Sequence, residues 1–187
     1  MANPEALEFL LTRRSRPVKL LKAPAPGREE LMRLLTAAVR VPDHGKLEPW
    51  RFVVIEGAGL ARFAQAIRAR AAETGQDPDK GALAFEQAPL AVAVVGVPKA
   101  SEKAPAIEQT LSAGAAALSL LNAALAAGWG ASWLTGWPAY DRDFLAQALG
   151  LAPGEWLAGF VYIGTCETAP PERPRPDVPA LVTWLDA

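Results

Sequence analysis

The sequence predicts an α+β fold in which one sheet of few strands is flanked by helices. Segments with apolar residues at helical spacing outnumber the β-branched runs and do not alternate strictly with them, as a doubly wound parallel sheet would require. Residues 89–97 (PLAVAVVGV) are continuously apolar and rich in valine, the pattern of a strand covered on both faces. A chain of 187 residues fits one domain over 1–187 and is long enough to bury a substantial core.

Taken in order, Asn3 suits the cap of a first helix and Pro4 its first position, while Ala6, Leu7, Phe9, Leu10 and Leu11 give it a broad apolar face up to Arg13. Residues 17–26 read as extended and proline-punctuated. Leu31, Leu34, Leu35 and Ala38 line one side of a helix over 28–41, which Pro42 stops. DHGKLEPW reads as a loop and RFVVIE (51–56) as a strand. A helix over 60–73 leads into TGQDPDKG, which reads as an exposed polar loop. After the strand at 89–97, residues 105–128 predict a long helix and 131–135 a short strand. Asp141 caps a helix ending at Gly150, and LAGFVYIGTC (157–166) is the last strand. The proline-rich tail that follows either wanders or wraps around a partner.

Composition excludes several functions. With 19 Lys and Arg against 20 Asp and Glu, the formal net charge of −1 leaves no electrostatic footprint for nucleic acid or an anionic membrane surface. One Cys forms no internal disulfide, and one His with one Cys builds no clustered zinc site, so a reducing, cytoplasmic setting is expected. The opening MANPEALEFLLTRRSR lacks the pattern of a secretory signal. Residues 110–140 carry no charge, which is long enough to raise a transmembrane span. Ala, Ser, Gly and Asn keep this stretch only modestly apolar, however, and it breaks at Gly128 and Gly130 without Lys or Arg anchors at both ends. A core helix, in the fold or in a subunit interface, is the expectation. No GxGxxG after a strand, GxxxxGK[ST], HExxH or GxSxG is present.

Three segments can carry chemistry. Arg13, Arg14, Ser15 and Arg16 form the densest basic cluster, suited to a phosphate ester through bidentate guanidinium bonds, or else a solvated helix end complementing a dipole. Arg40 and His44 flank Pro42 in a loop, where ligand contacts concentrate, although a lone His is more often structural. In GWGASWLTGWPAYD, Gly128, Gly130 and Gly136 permit close backbone approach, and Trp129, Trp133 and Trp137 offer flat surfaces to a planar ligand or to the core.

Taken together, a helix ending in RRS, RVPDHGKLEPWRFVVIE, a small-residue helix leading into GWGASWLTG, and a closing GFVYIGT strand resemble the FMN-dependent nitroreductase family, in particular its short, YdjA-like branch of NAD(P)H nitroreductases. The resemblance covers nearly the whole chain. It implies an α+β fold with a mainly antiparallel central sheet flanked by helices, an intertwined homodimer, and FMN bound at the subunit interface. It implies that Arg13, Arg14 and Ser15 hold the flavin phosphate and ribityl end, and that Arg175, in PERPR, reaches the phosphate. Arg40 and His44 would come from the other subunit, and Trp133, Leu134, Thr135 and Gly136 would run beside the isoalloxazine. The chain departs from the family pattern in three places. Pro17 stands two positions after the Ser where Arg is usual, so Arg16 or Lys19 substitutes or faces solvent. Glu48 replaces a common Gln. Leu134 replaces an Arg, so a contact there would use backbone groups.

The activity implied is ping-pong transfer of a hydride from NAD(P)H through FMN N5 to nitroaromatics, quinones or other electron-poor acceptors, with no acid–base residue nominated. Arg40 or His44 would place a donor at the flavin N1/C2=O edge. Two other readings remain at this stage. One is a dimeric flavin-binding carrier or sensor without significant turnover; the other is a purely structural helical dimer.

Overall fold

Leu90–Gly96 (β2) is buried along its whole length and forms an inner strand of the sheet. The structure, a computed structural model, describes residues 2–185. Around β2 the chain places α1 (Pro4–Thr12), α2 (Arg28–Ala38), β1 (Trp50–Glu56), α3 (Ala58–Thr74), α4 (Pro78–Gln87), α5 (Ala106–Ala126), β3 (Gly130–Leu134), α6 (Arg142–Leu149) and β4 (Trp156–Gly164). The sheet has four strands in the order β1-β2-β4-β3, and every pairing is antiparallel. The α+β class is as the sequence predicts.

Both faces of the sheet are covered. On one, Leu31, Leu34, Leu35 and Ala38 of α2 pack with Ala117, Leu120 and Ala124 of α5 against Val92, Val94, Val161 and Ile163. Small side chains along α5 let the helix lie close to the strands, which is why an alanine-rich sequence serves here. The other face carries α3, α4 and α6 over an aromatic cluster. Phe63 and Phe85 lie 4.6 Å apart by ring centroid, and Phe85 meets Phe160 edge-on at 4.9 Å. By length and composition α5 is apolar enough to cross a membrane, but Ala113 and Ala116 are buried, and Ala117, Leu120 and Ala124 are buried against the sheet and α2, as in a core helix.

Three expectations need correction, the first being residues 17–26, which read as extended but hold a 3-10 turn over Val18–Leu20. TGQDPDKG is not a loop throughout, because Pro78 opens α4. The Asp77 carboxylate accepts from the N–H groups of Asp79 and Lys80, and Gly81, Ala82 and Phe85 are buried on the inner side. The helix predicted over 28–41 ends at Ala38, and Val39 takes a non-helical conformation ahead of Pro42. The remaining helices and strands fall within two residues of their predicted limits.

Parts of the chain stay uncovered. No residue of α1 is buried, and Leu7 and Leu11 are 59% and 68% exposed. Ile107, Leu111 and Leu118 on the outer side of α5 are exposed, and Trp184 in the tail is 83% exposed.

Candidate functional site: an arginine cluster at the sheet edge

The basic segment reaches the sheet through backbone bonds. The Arg13 N–H donates to Phe9 O and closes α1, after which the chain runs beside β3, where the Arg16 N–H donates to Ala131 O at 2.8 Å. Lys22 and Thr165 exchange two backbone bonds of 2.9 and 2.8 Å, which tie this segment to the end of β4. The tail leaves from that same end, so residues after Thr165 can fold back over the N-terminal segment.

That return brings four of the sequence-predicted residues together. Arg13 Nη2 donates to Ser15 Oγ at 3.0 Å, Arg14 Nη1 donates to Glu172 Oε1 at 3.1 Å, and Arg175 Nε donates to the same oxygen at 2.8 Å. Two guanidinium groups therefore share one carboxylate, with the Arg13 guanidinium close enough to feel both of their charges. The Arg13 Nε is buried and makes no hydrogen bond within the described residues. Burial, and then the charges of Arg175 and Arg14, push the Arg13 pKa down from its ordinary value. The guanidinium stays protonated. With Arg13 Nε buried and unpartnered among the described residues and two further guanidiniums nearby, an anion with several acceptor oxygens is favourable here.

The strand that Arg16 joins, β3, ends at Leu134 and is followed by Thr135 and Gly136. Leu134 and Thr135 are exposed, and Gly136 has φ 146°. Trp133 turns inward, and its indole N–H donates to Ala158 O at 3.1 Å. That carbonyl lies at the register shift between β2 and β4, where Val94 pairs with Gly159 and Val95 with Leu157, leaving Ala158 as the extra residue. Trp129 donates to Glu30 at 2.8 Å and Trp137 to Asp77 O at 3.0 Å. All three indoles are thus anchored within the chain. What the segment offers outward begins at residue 134, with the exposed Leu134 and Thr135.

Arg40 and His44 lie elsewhere. His44 Nδ1 donates to Glu108 Oε2 at 2.7 Å, and an open cavity of about 320 Å³ lies along Pro42, His44, Glu108, Leu111, Ser112 and Ala115. The loop holds its shape because Asp43 accepts from the N–H groups of Leu47 and Glu48, and Ser112 Oγ donates to Pro42 O at 2.6 Å. Arg40 is exposed. His44 sits at the first turn of α5, whereas Arg16 meets Ala131 beyond its last turn. From Glu108 to Ala126 an α-helix rises about 27 Å. β1, which follows the His44 loop, and β3, which borders the arginines, are opposite edges of the sheet. One chain does not bring the two groups together.

The remaining candidates divide. Arg16 contributes a backbone N–H to the β3 edge, while Lys19 and Glu48 are exposed. Sequence reasoning missed Glu172 and Glu108. The PERPR context of Glu172 was a signal, since a carboxylate between arginines favours their convergence. Glu108 had only its place in the first turn of a helix.

Comparisons with known proteins bear on the family and the fold. A profile described as "Nitroreductase family" matches residues 10–165. The protein named "Putative NAD(P)H nitroreductase YdjA" of Escherichia coli strain K12 is 38% identical over 164 residues, covering 86% of this chain and 88% of its own. Among solved structures, a nitroreductase-like family protein from Bacillus cereus superposes with a TM-score of 0.80 at 20% identity, covering 100% of this chain and 99% of its own. A Desulfovibrio desulfuricans protein solved in complex with FMN, named as a putative nitroreductase, gives 0.77 at 22% identity with 100% of both chains covered.

Proposed function

This chain belongs to the nitroreductase family, and on that premise we propose that it is an FMN-dependent NAD(P)H oxidoreductase working as a cytoplasmic homodimer on nitroaromatic, quinone or other electron-poor acceptors. The observation that carries the reading is the convergence of Arg14 and Arg175 on one carboxylate beside Arg13, whose Nε is buried and unbonded among the described residues. Three guanidiniums and one carboxylate leave an excess of two positive charges, which matches the phosphate monoester of FMN. Arg13, Arg14, Ser15 and Arg175 hold that phosphate, and the backbone of residues 133–136 borders the isoalloxazine.

Arg40 and His44 reach the flavin from a second copy of the chain. Their separation from the arginines within one chain supports this, as do the exposed leucines of α1, the outer side of α5 and the apolar tail. FMN, when bound, supplies the hydride chemistry, accepting from NAD(P)H and passing to the acceptor. The protein's own residues bind the phosphate, orient the ring, and place a cation or N–H donor from Arg40 or His44 at its polar edge. The uncovered apolar surfaces, closed by the second subunit, exclude water from the site.

The visible absorption spectrum of the purified protein tests the reading. Flavin bands that bleach on adding NADH or NADPH and return on adding a quinone or nitroaromatic are the expected result. Bands that persist after NAD(P)H would mark a flavin carrier, and a colourless protein that takes up no FMN would overturn the proposal.

A further inference from the structure

We propose that Glu172 is a positioning residue for phosphate recognition: its carboxylate clamps the tail's Arg175 beside Arg14, so that the anion site is complete only when the tail is folded back. The inference rests on the FMN reading above and extends it to a residue that would not touch the flavin.

One oxygen carries the arrangement. Glu172 Oε1 accepts from Arg14 Nη1 at 3.1 Å, from Arg175 Nε at 2.8 Å and from the Arg173 backbone N–H at 2.9 Å, while Arg175 Nη2 lies 2.8 Å away. The bond to Arg14 spans 158 residues of sequence, whereas those to Arg173 and Arg175 are local. Glu172 therefore joins a rigid side, the segment tied to β3 by Arg16, to a tail whose residues 171–185 are all exposed. Among the hydrogen bonds and ion pairs of the described residues, this carboxylate makes the only contact that fastens Arg175 to another part of the fold. Without it Arg175 and Arg14 repel each other, and a proline-flanked arginine on an exposed segment has no reason to stay. The Arg173 N–H, then the guanidiniums of Arg14 and Arg175, hold the Glu172 carboxyl below its ordinary pKa, so the clamp is ionised at neutral pH. Arg14 and Arg175 each donate only part of their fork to Glu172, and their remaining N–H groups stay available to phosphate.

The test compares two ligands that differ only by the phosphate. FMN and riboflavin are titrated into flavin-stripped, full-length protein by fluorescence quenching, for wild type, Glu172→Gln, Arg175→Ala and the double variant. Glu172→Gln keeps shape and removes charge at an exposed position, and thermal melting checks that the fold is unchanged. The expected result is that each single variant weakens FMN by about tenfold and leaves riboflavin unchanged. The double variant should be no weaker than Arg175→Ala alone, because both changes remove the same contact. FMN affinity in Glu172→Gln equal to wild type would overturn the positioning role. Tighter binding would also overturn it, showing that the carboxylate competes with phosphate. If wild type itself did not prefer FMN over riboflavin, the phosphate site beneath the proposal would fall with it.

Discussion

At Gly159 the absence of a single carbon decides whether the outer strand can close. The residue has φ 146°, and a Cβ there would overlap the Trp133 indole, with Leu134 O at 2.9 Å on the other side. Gly159→Ala is expected to cost about 2–4 kcal/mol, combining backbone strain with a displaced tryptophan, and urea unfolding measures it. A shift below about 0.5 kcal/mol would mean that the indole moves freely and does not fix the edge of the proposed ring site. Nothing in GFVYIGT announces this role, because the clash involves a residue 26 positions earlier in the sequence. Arg13, Arg14 and Ser15 were legible for the opposite reason: adjacent in the chain at a helix end, their density is a local property. The meeting of Arg14 with Glu172, and through it with Arg175, was not legible, since it depends on where the chain returns after β4.

Between elements, two forked ion pairs act as ties. Arg51 of β1 donates to both oxygens of Glu155, just before β4, at 2.9 and 2.7 Å, and Arg70 of α3 donates to both oxygens of Asp141, the cap of α6, at 2.7 and 3.2 Å. The bond from Arg51 holds Glu155 below the usual carboxylate range, and the bond from Arg70 does the same for Asp141. A carboxyl depressed by folding contributes stability above its unfolded pKa of about 4 and loses it as pH falls through the folded value. Stability should therefore drop on acidification below about pH 5, and the difference between wild type and Glu155→Gln should shrink as pH falls. Urea midpoints over a pH series check this; a difference constant with pH would separate the pair from the acid response. Most elements were readable from caps and apolar spacing, including α5, whose buried alanines repeat at helical intervals. α4 was not, because Gln76, Asp77, Asp79 and Lys80 hide an ordinary Asp-Pro helix start whose apolar face begins only at Gly81.

For the whole molecule, the separation of Arg40 and His44 from the arginine cluster makes a prediction about subunits. If each flavin site draws on two copies, a hybrid dimer pairing an Arg13→Ala/Arg14→Ala subunit with an Arg40→Ala/His44→Ala subunit keeps one intact site. Purified through two affinity tags, it should bind about half the FMN of wild type, whereas either parent dimer binds little. A hybrid as poor as its parents would show that the two groups do not share a site. The amino-acid order sufficed for the α+β class, for nearly every element and for a local store of arginine, because caps, turn residues and apolar periodicity act within a few residues. The strand order, the extra residue at Ala158, the inward turn of Trp133 and the meeting of Arg14 with Glu172 came from folding. Each pairs residues far apart in the chain, and such pairings are chosen by the packing of the whole sheet rather than by any local preference.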